Sequence, residues 1–239
     1  MSNLQSGQLW LLPVSLGGNA WSIWLPQAAH DHACRITHFI AESAKTARAE
    51  IKAMGHPVPM RELHIEEIPQ QLPTAAIDRL LQPLLAGLDI AIVSEAGCPA
   101  VADPGALLVR RAHELGISVK PLVGPSSLLL TLMASGLDGQ QFAFQGYLPA
   151  RDPERAKRIR ELERESAQRK QTQLFIETPY RNMTLFAALL EQGQPATLLC
   201  VASDLTLESE QIRTLRIRDW RSQTAPALDR RPTVFALLA

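Results

Sequence analysis

The sequence has little cysteine: three residues in 239, Cys34, Cys98 and Cys200. So few, so far apart, suit neither a disulfide framework nor a CxxC metal or redox motif. Reduced, buried thiols are expected. An excess of charge is also lacking, with 24 basic and 24 acidic residues balancing to a formal net charge of zero. The whole molecule therefore lacks the electrostatic footprint of a general nucleic-acid binder, which leaves only a local basic patch open. Long apolar runs are absent too. The longest, such as residues 122–133, are broken by Gly, Pro, Ser or Thr and fall short of the roughly 20 residues that span a bilayer, so no transmembrane helix is expected. Residues 1–8 carry no basic flank and residues 9–16 no small-residue cleavage pattern, which leads to the expectation of a cytoplasmic protein without a secretory signal.

What is present is an ordinary globular composition, 46% apolar and 20% charged, with no low-complexity tract and no internal repeat. Short β-like runs alternate with helical patterns, the signature of βαβ units. Strands are expected at residues 8–13, 36–41, 90–94, 118–122, 142–146, 173–177, 198–202 and 233–238. The clearest helices are expected at 44–54, 74–86, 106–115, 153–168 and 182–191. Gly55, Gly87, Gly116 and Gly193 follow helical patterns at the position where a left-handed glycine ends a helix. The regular alternation changes character near residue 121, which places a domain boundary between 1–122 and 123–239.

Three loops follow strands and carry more small or polar residues than a turn needs. The first is Ser94-Glu95-Ala96-Gly97-Cys98-Pro99-Ala100-Val101-Ala102-Asp103-Pro104-Gly105. It begins at the carboxyl end of a strand, where open parallel sheets bind ligands, and its small side chains let a ligand approach the backbone. Asp103 and Pro104 also read as a helix N-cap and first-turn proline. The second is Val123-Gly124-Pro125-Ser126-Ser127, a glycine turn leading to a serine-capped helix over 128–135. The third is Glu177-Thr178-Pro179-Tyr180-Arg181-Asn182, whose proline and tyrosine could wall a flat ring or simply cap a helix.

Taken in order, SEAGCPAVADPG, PLVGPSS, ASGL, FQGYLP and IETPYRN resemble the motifs of the tetrapyrrole (corrin/porphyrin) methylase superfamily, and within it the ribosomal RNA small-subunit methyltransferase I branch. The resemblance implies an α/β fold of two αβα lobes, with a mainly parallel N-terminal sheet, a mixed C-terminal sheet and an S-adenosylmethionine cleft between the lobes. It implies a homodimer without metal. Carried over by motif, Pro13, Ser94, Glu95, Ala96 and Gly97 would line the cofactor. Gly124, Ser126 and Ser127 would meet its polar end, while Thr178, Pro179, Tyr180, Arg181, Ala202, Pro232 and Thr233 would complete the site. The branch's TPIGNL segment is replaced here by residues 12–19 and its EDTR segment by residues 41–45. In the family these segments face the substrate side.

Methyl transfer from a sulfonium is an in-line displacement that relies mostly on positioning. A ribose hydroxyl acceptor would need a base, for which Glu42, Glu95 and Glu177 are candidates. The reaction implied is ribose 2'-O-methylation of ribosomal RNA; a small tetrapyrrole-like acceptor is the alternative, and a cofactor-binding protein without catalysis is a third reading.

Among weaker signals, His30, His32, Cys34 and His38 match no common zinc spacing, and Gly17-Gly18 reads as a turn rather than a phosphate loop. Trp21 and Trp24, at i and i+3, read as one helix face, and no stacking array is expected of the tryptophans. Residues 151–170 hold eight basic and five acidic side chains, read as an ion-paired helix or, more sharply, as an RNA-facing patch.

Overall fold

The computed structural model describes residues 6–18 and 20–239; most of the 1–8 leader reading, and Asn19 of the 12–19 segment, lie outside the described residues. The chain divides into two compact units, Met1–Ser126 and Ser127–Ala239.

The first unit holds a five-stranded sheet in the order β3-β2-β4-β1-β5, with β1 (Leu9–Leu12), β2 (His38–Ala41), β3 (His64–Glu67), β4 (Ile90–Val93) and β5 (Val119–Pro121). Every pairing is parallel. The central strand explains the sequence Ile-Ala-Ile-Val: all four residues are buried because both faces of the strand are covered. Ala91 and Val93 pack with Phe39, Trp24, Ala33, Ile51 and Met54, from the side of α1 (Trp21–Trp24), α2 (Gln27–Ala33) and α3 (Ala44–Ala53). Ile90 and Ile92 pack with Leu80, Leu81, Leu84 and Leu108, from α4 (Thr74–Leu85) and α5 (Gly105–Glu114). Each fully buried aliphatic side chain contributes about 1.5–3 kcal/mol.

The second unit holds a mixed sheet in the order β6-β7-β10-β8-β9: β6 (Phe142–Tyr147), β7 (Thr172–Ile176), β8 (Leu198–Ser203), β9 (Gln211–Arg216) and β10 (Thr233–Leu238). β6 and β7 run parallel and the remaining pairs antiparallel. One face packs Phe175, Val201 and Phe235 against α7 (Glu154–Arg169), α8 (Asn182–Gln192) and α9 (Ile217–Arg221); the other packs Leu174, Cys200, Val234 and Ala236 with Leu132 of α6 (Ser127–Ser135).

Two strands absent from the sequence expectations, β3 and β9, are outermost in their sheets. Their residues, His-Ile-Glu-Glu and Gln-Ile-Arg-Thr-Leu-Arg, are polar because one edge and part of a face meet water. β5 is also an edge strand, which accommodates Pro121 and its missing amide hydrogen. Gly55, Gly87 and Gly116 close helices with φ of 71°, 89° and 71°. Gly193 does not: its φ is −78° and ψ 152°, an extended turn-off from α8. A Cβ there would lie 2.1 Å from Ile217 Cδ1, so its glycine serves a close approach rather than a left-handed cap.

Candidate functional site

In the first unit the carboxyl ends of β1, β4 and β5 converge. Pro13 and Val14 leave β1, and Val14 bridges to Gly97 in the loop after β4, its N–H donating to the Gly97 carbonyl at 3.0 Å. Gly97 has φ +70° and is buried, a conformation and a space that favour glycine. Ser94 Oγ closes the turn by donating to the Gly97 carbonyl at 3.1 Å. The glycine turn after β5 lies against β1's exit, where a Cβ at Gly124 would sit 2.3 Å from Pro13 Cβ. Cys98 Sγ reaches the Pro125 carbonyl at 3.2 Å, and burial pushes its thiol pKa up, so it is a protonated structural donor. Pro13, Ser94, Glu95, Ala96, Gly97, Gly124 and Ser126 therefore share one edge of this unit.

The same loop is backbone-strained. Ala100 and Ala102 have φ of 65° and 64°, the left-handed region that favours glycine. Asp103 helps hold the strain: its carboxylate accepts from Ala100 N–H at 2.9 Å and Gly105 N–H at 2.7 Å. Pro104, not Asp103, stands at the N-cap of α5, one residue later than the sequence reading placed it, and Asp103 just before it accepts from Gly105 N–H. Asp103's carboxyl is pushed up by burial, against the lowering effect of these backbone bonds. Such strain marks sites where conformation serves function.

Glu42 lies directly after β2. Its side chain is exposed, yet partial desolvation first, and then the neighbouring charges of Glu95 and Asp103, push its carboxyl up. Ser43 behind it caps α3, its side chain accepting from Thr46 N–H. A residue the sequence did not signal, Glu50, reaches from α3 to accept from Ser15 N–H at 3.2 Å and Ser15 Oγ at 3.0 Å, fixing the segment after β1. Ser15 Oγ in turn accepts from Gly18 N–H at 2.9 Å, so Gly17 and Gly18 form a plain turn.

In the second unit, antiparallel pairing brings the end of β7, the end of β8 and the start of β10 to a common edge, with Ile176 opposite Val234 and Ser203 opposite Thr233. The edge gathers Thr178, Pro179, Tyr180, Arg181, Ala202, Pro232 and Thr233. Ala202 is buried and Tyr180 is 75% exposed. Glu177 is buried, its Oε1 accepting from Thr178 N–H at 2.6 Å and Arg181 Nη2 at 2.6 Å, which ties down the loop that carries Pro179 and Tyr180. Ser127 opens α6, on a different element of this unit.

Side chains outside these loops have structural occupations. Trp21 stacks on His30 with centroids 3.7 Å apart, and Trp10 tilts over His32 at 3.5 Å, ring pairs that the sequence did not suggest. His30 Nε2 meets the Met54 carbonyl at 2.8 Å. Among the described residues no group of three His, Cys, Asp or Glu side chains could hold a metal ion, and no helix is long and apolar enough to cross a membrane. The charged α7 is laced by Arg158–Glu161, Arg158–Glu165 and Lys157–Glu161 ion pairs, with Glu163 buried inside and accepting from Gln194 N–H and Thr197 Oγ.

Residues 28–220 match the model of the tetrapyrrole (corrin/porphyrin) methylases. The chain belongs to this family. The methylase is 30% identical over 203 residues to the ribosomal RNA small subunit methyltransferase I of Xylella fastidiosa (strain Temecula1), covering 85% of this chain and 71% of that protein. It is 30% identical over 206 residues to the protein of the same name in Escherichia coli O157:H7, covering 86% and 68%. With the Pseudomonas aeruginosa protein of that name the match is 34% over 145 residues, spanning only half of that relative's length. The methylase groups with this branch. Among solved structures, the methyltransferase CobJ superposes with a TM-score of 0.63 at 18% identity over 98% of this chain and 94% of the other. A uroporphyrin-III-C-methyltransferase from Thermus thermophilus gives 0.54, also at 18%, over 97% and 92%. These likenesses establish the fold, and with the family they make the chain a methyltransferase.

Proposed function

We propose that the protein is an S-adenosylmethionine-dependent methyltransferase of ribosomal RNA, acting on a ribose 2'-hydroxyl. The observation that carries this is the 203-residue match, across 85% of the chain, to a protein named for small-subunit ribosomal RNA methylation. A cytoplasmic homodimer accompanies the reading.

The residues fit such a methyl donor on chemistry visible in the chain. Glu95, exposed just past the carboxyl end of β4, offers an anion to the donor's ammonium, and the small Ala96 and Gly97 beside it let the donor approach the backbone. The donor supplies an electrophilic methyl group. In the first unit Pro13, Ser94, Glu95, Ala96, Gly97, Gly124 and Ser126 are assigned to hold it. In the second, Ser127, Thr178, Pro179, Tyr180, Arg181, Ala202, Pro232 and Thr233 are assigned. Of the three candidate bases Glu42 is favoured, because its raised carboxyl is nearer the working pH and can accept the hydroxyl proton. Glu177 is already engaged by Arg181 and Thr178 N–H and acts as a strut.

Calorimetry tests the donor half: purified, donor-free protein should bind S-adenosylmethionine, and no binding at millimolar ligand overturns the reading. Loss of one ribose methyl from the small-subunit ribosomal RNA of a deletion strain, restored by the gene, tests the acceptor half. A tetrapyrrole-like acceptor is the second reading, supported by the zero net charge. It predicts donor binding with no retardation of RNA in a gel.

A further inference from the structure

Three non-glycine residues of the second unit are held left-handed on one edge of its sheet: Asp204 at φ 50°, Thr206 at 72° and Arg230 at 60°. Each is a strained conformation, most of all for the β-branched threonine, and persists only where surrounding bonds over-determine it. Thr206 N–H donates to Glu210 Oε2 at 2.8 Å, and the Arg231 side chain, next to Arg230, holds Asp204. Its Nε donates to Asp204 Oδ2 at 2.7 Å, with the two side chains only 19% and 10% exposed. Its Nη1 donates to the Ala227 carbonyl at 3.2 Å, and its Nη2 to the Ser209 carbonyl. Its own carbonyl accepts from Asn182 Nδ2 at 2.7 Å and Thr233 Oγ1 at 3.0 Å. Backbone bonds close the weave: Asp204 N–H to the Pro232 carbonyl at 2.9 Å, and Arg230 N–H to the Pro179 carbonyl at 3.2 Å.

Residue 231 thus joins the loops after β7 and β8 to the one before β10, which carry Pro179, Tyr180 and Pro232 and adjoin Ala202 in β8 and Thr233 in β10. Asn182, whose Nδ2 holds the Arg231 carbonyl, anchors this edge from the start of α8. It is fully buried, yet its Oδ1 has no hydrogen-bond partner, an acceptor left open where native proteins rarely leave one.

We propose that Arg231, locked onto Asp204, is a positioning residue for donor binding. It fixes the spacing of these loops, so that its loss weakens capture of the donor rather than the transfer step. This rests on the functional reading given above.

Arg231→Ala would remove several bonds at once and endanger the edge itself, so the test uses R231K, which keeps the cation but loses the planar fork, and D204N. Binding of S-adenosylmethionine is measured by calorimetry and turnover at saturating donor, with folding checked by thermal melting. Each variant should raise the donor's Kd and KM by about tenfold and leave kcat within about twofold, and the double variant D204N/R231K should weaken binding by less than the product of the two single effects, since the variants share the Asp204–Arg231 pair. If the wild type does not bind the donor, the functional reading falls and this inference with it. If the wild type binds and the variants bind as tightly, or lose kcat with an unchanged KM, only this inference is overturned.

Discussion

At the scale of single residues the site depends on close approaches that leave no room for a methyl group. Gly124→Ala would drive a Cβ to 2.3 Å from Pro13 Cβ. We expect it to lower stability by about 1–3 kcal/mol, as overpacking generally does, and to weaken donor binding, measured by melting and calorimetry. Glu42 gives a pH-dependent case. Its folded carboxyl titrates above its unfolded value, so the folded state holds the proton more tightly, and stability falls as pH rises through that interval. Glu42→Gln should therefore raise the melting temperature at pH 8, with the difference closing toward pH 4. In turnover the same variant should lower kcat, and the acid limb of the wild-type profile should lie above the usual carboxylate range. A profile unchanged by the substitution would remove Glu42 from the proton transfer.

At the scale of elements the helices are fixed by identifiable contacts. Ser43→Ala removes the α3 cap and should cost about 1 kcal/mol in urea unfolding. Glu163→Ala leaves Gln194 N–H and Thr197 Oγ without their buried acceptor and should cost about 1–3 kcal/mol or more. Much of this layer was legible in the sequence. The buried strand Ile-Ala-Ile-Val, the amphipathic α4 and α5, and three of four terminal glycines follow from periodicity and local sterics alone. The strands β3 and β9 were not legible, because an edge strand with a wet face carries the polarity of a loop. The candidate site divides the same way. Its small-residue loops stand out in the chain, whereas Glu50 on Ser15, Arg231 on Asp204 and the Trp21–His30 stack join residues brought near only by folding. Gly193 shows the limit from the other side: the residue type was legible and its reason was not, since a glycine at a close approach reads like a glycine at a cap.

At the scale of the whole molecule, zero net charge sets expectations for a nucleic-acid substrate. If single-stranded RNA is held through about three phosphates, a fourfold rise in salt should weaken it roughly 20-fold, which gel retardation at 50 and 200 mM salt would check. A far steeper loss would imply a larger basic surface than α7, with its internal ion pairs, provides. The sheet margins have a bearing on handling at high concentration. β3 presents Glu66 and Glu67, β5 presents Lys120 and Pro121, and β9 presents Arg213 and Arg216, each a discouragement to an added strand. β6, Phe-Ala-Phe-Gln-Gly-Tyr, carries no charge and exposes Phe142 and Tyr147. With one uncharged margin among the described residues, edge-to-edge growth has nowhere to continue once two such margins have met: crowded solutions should yield pairs, not filaments.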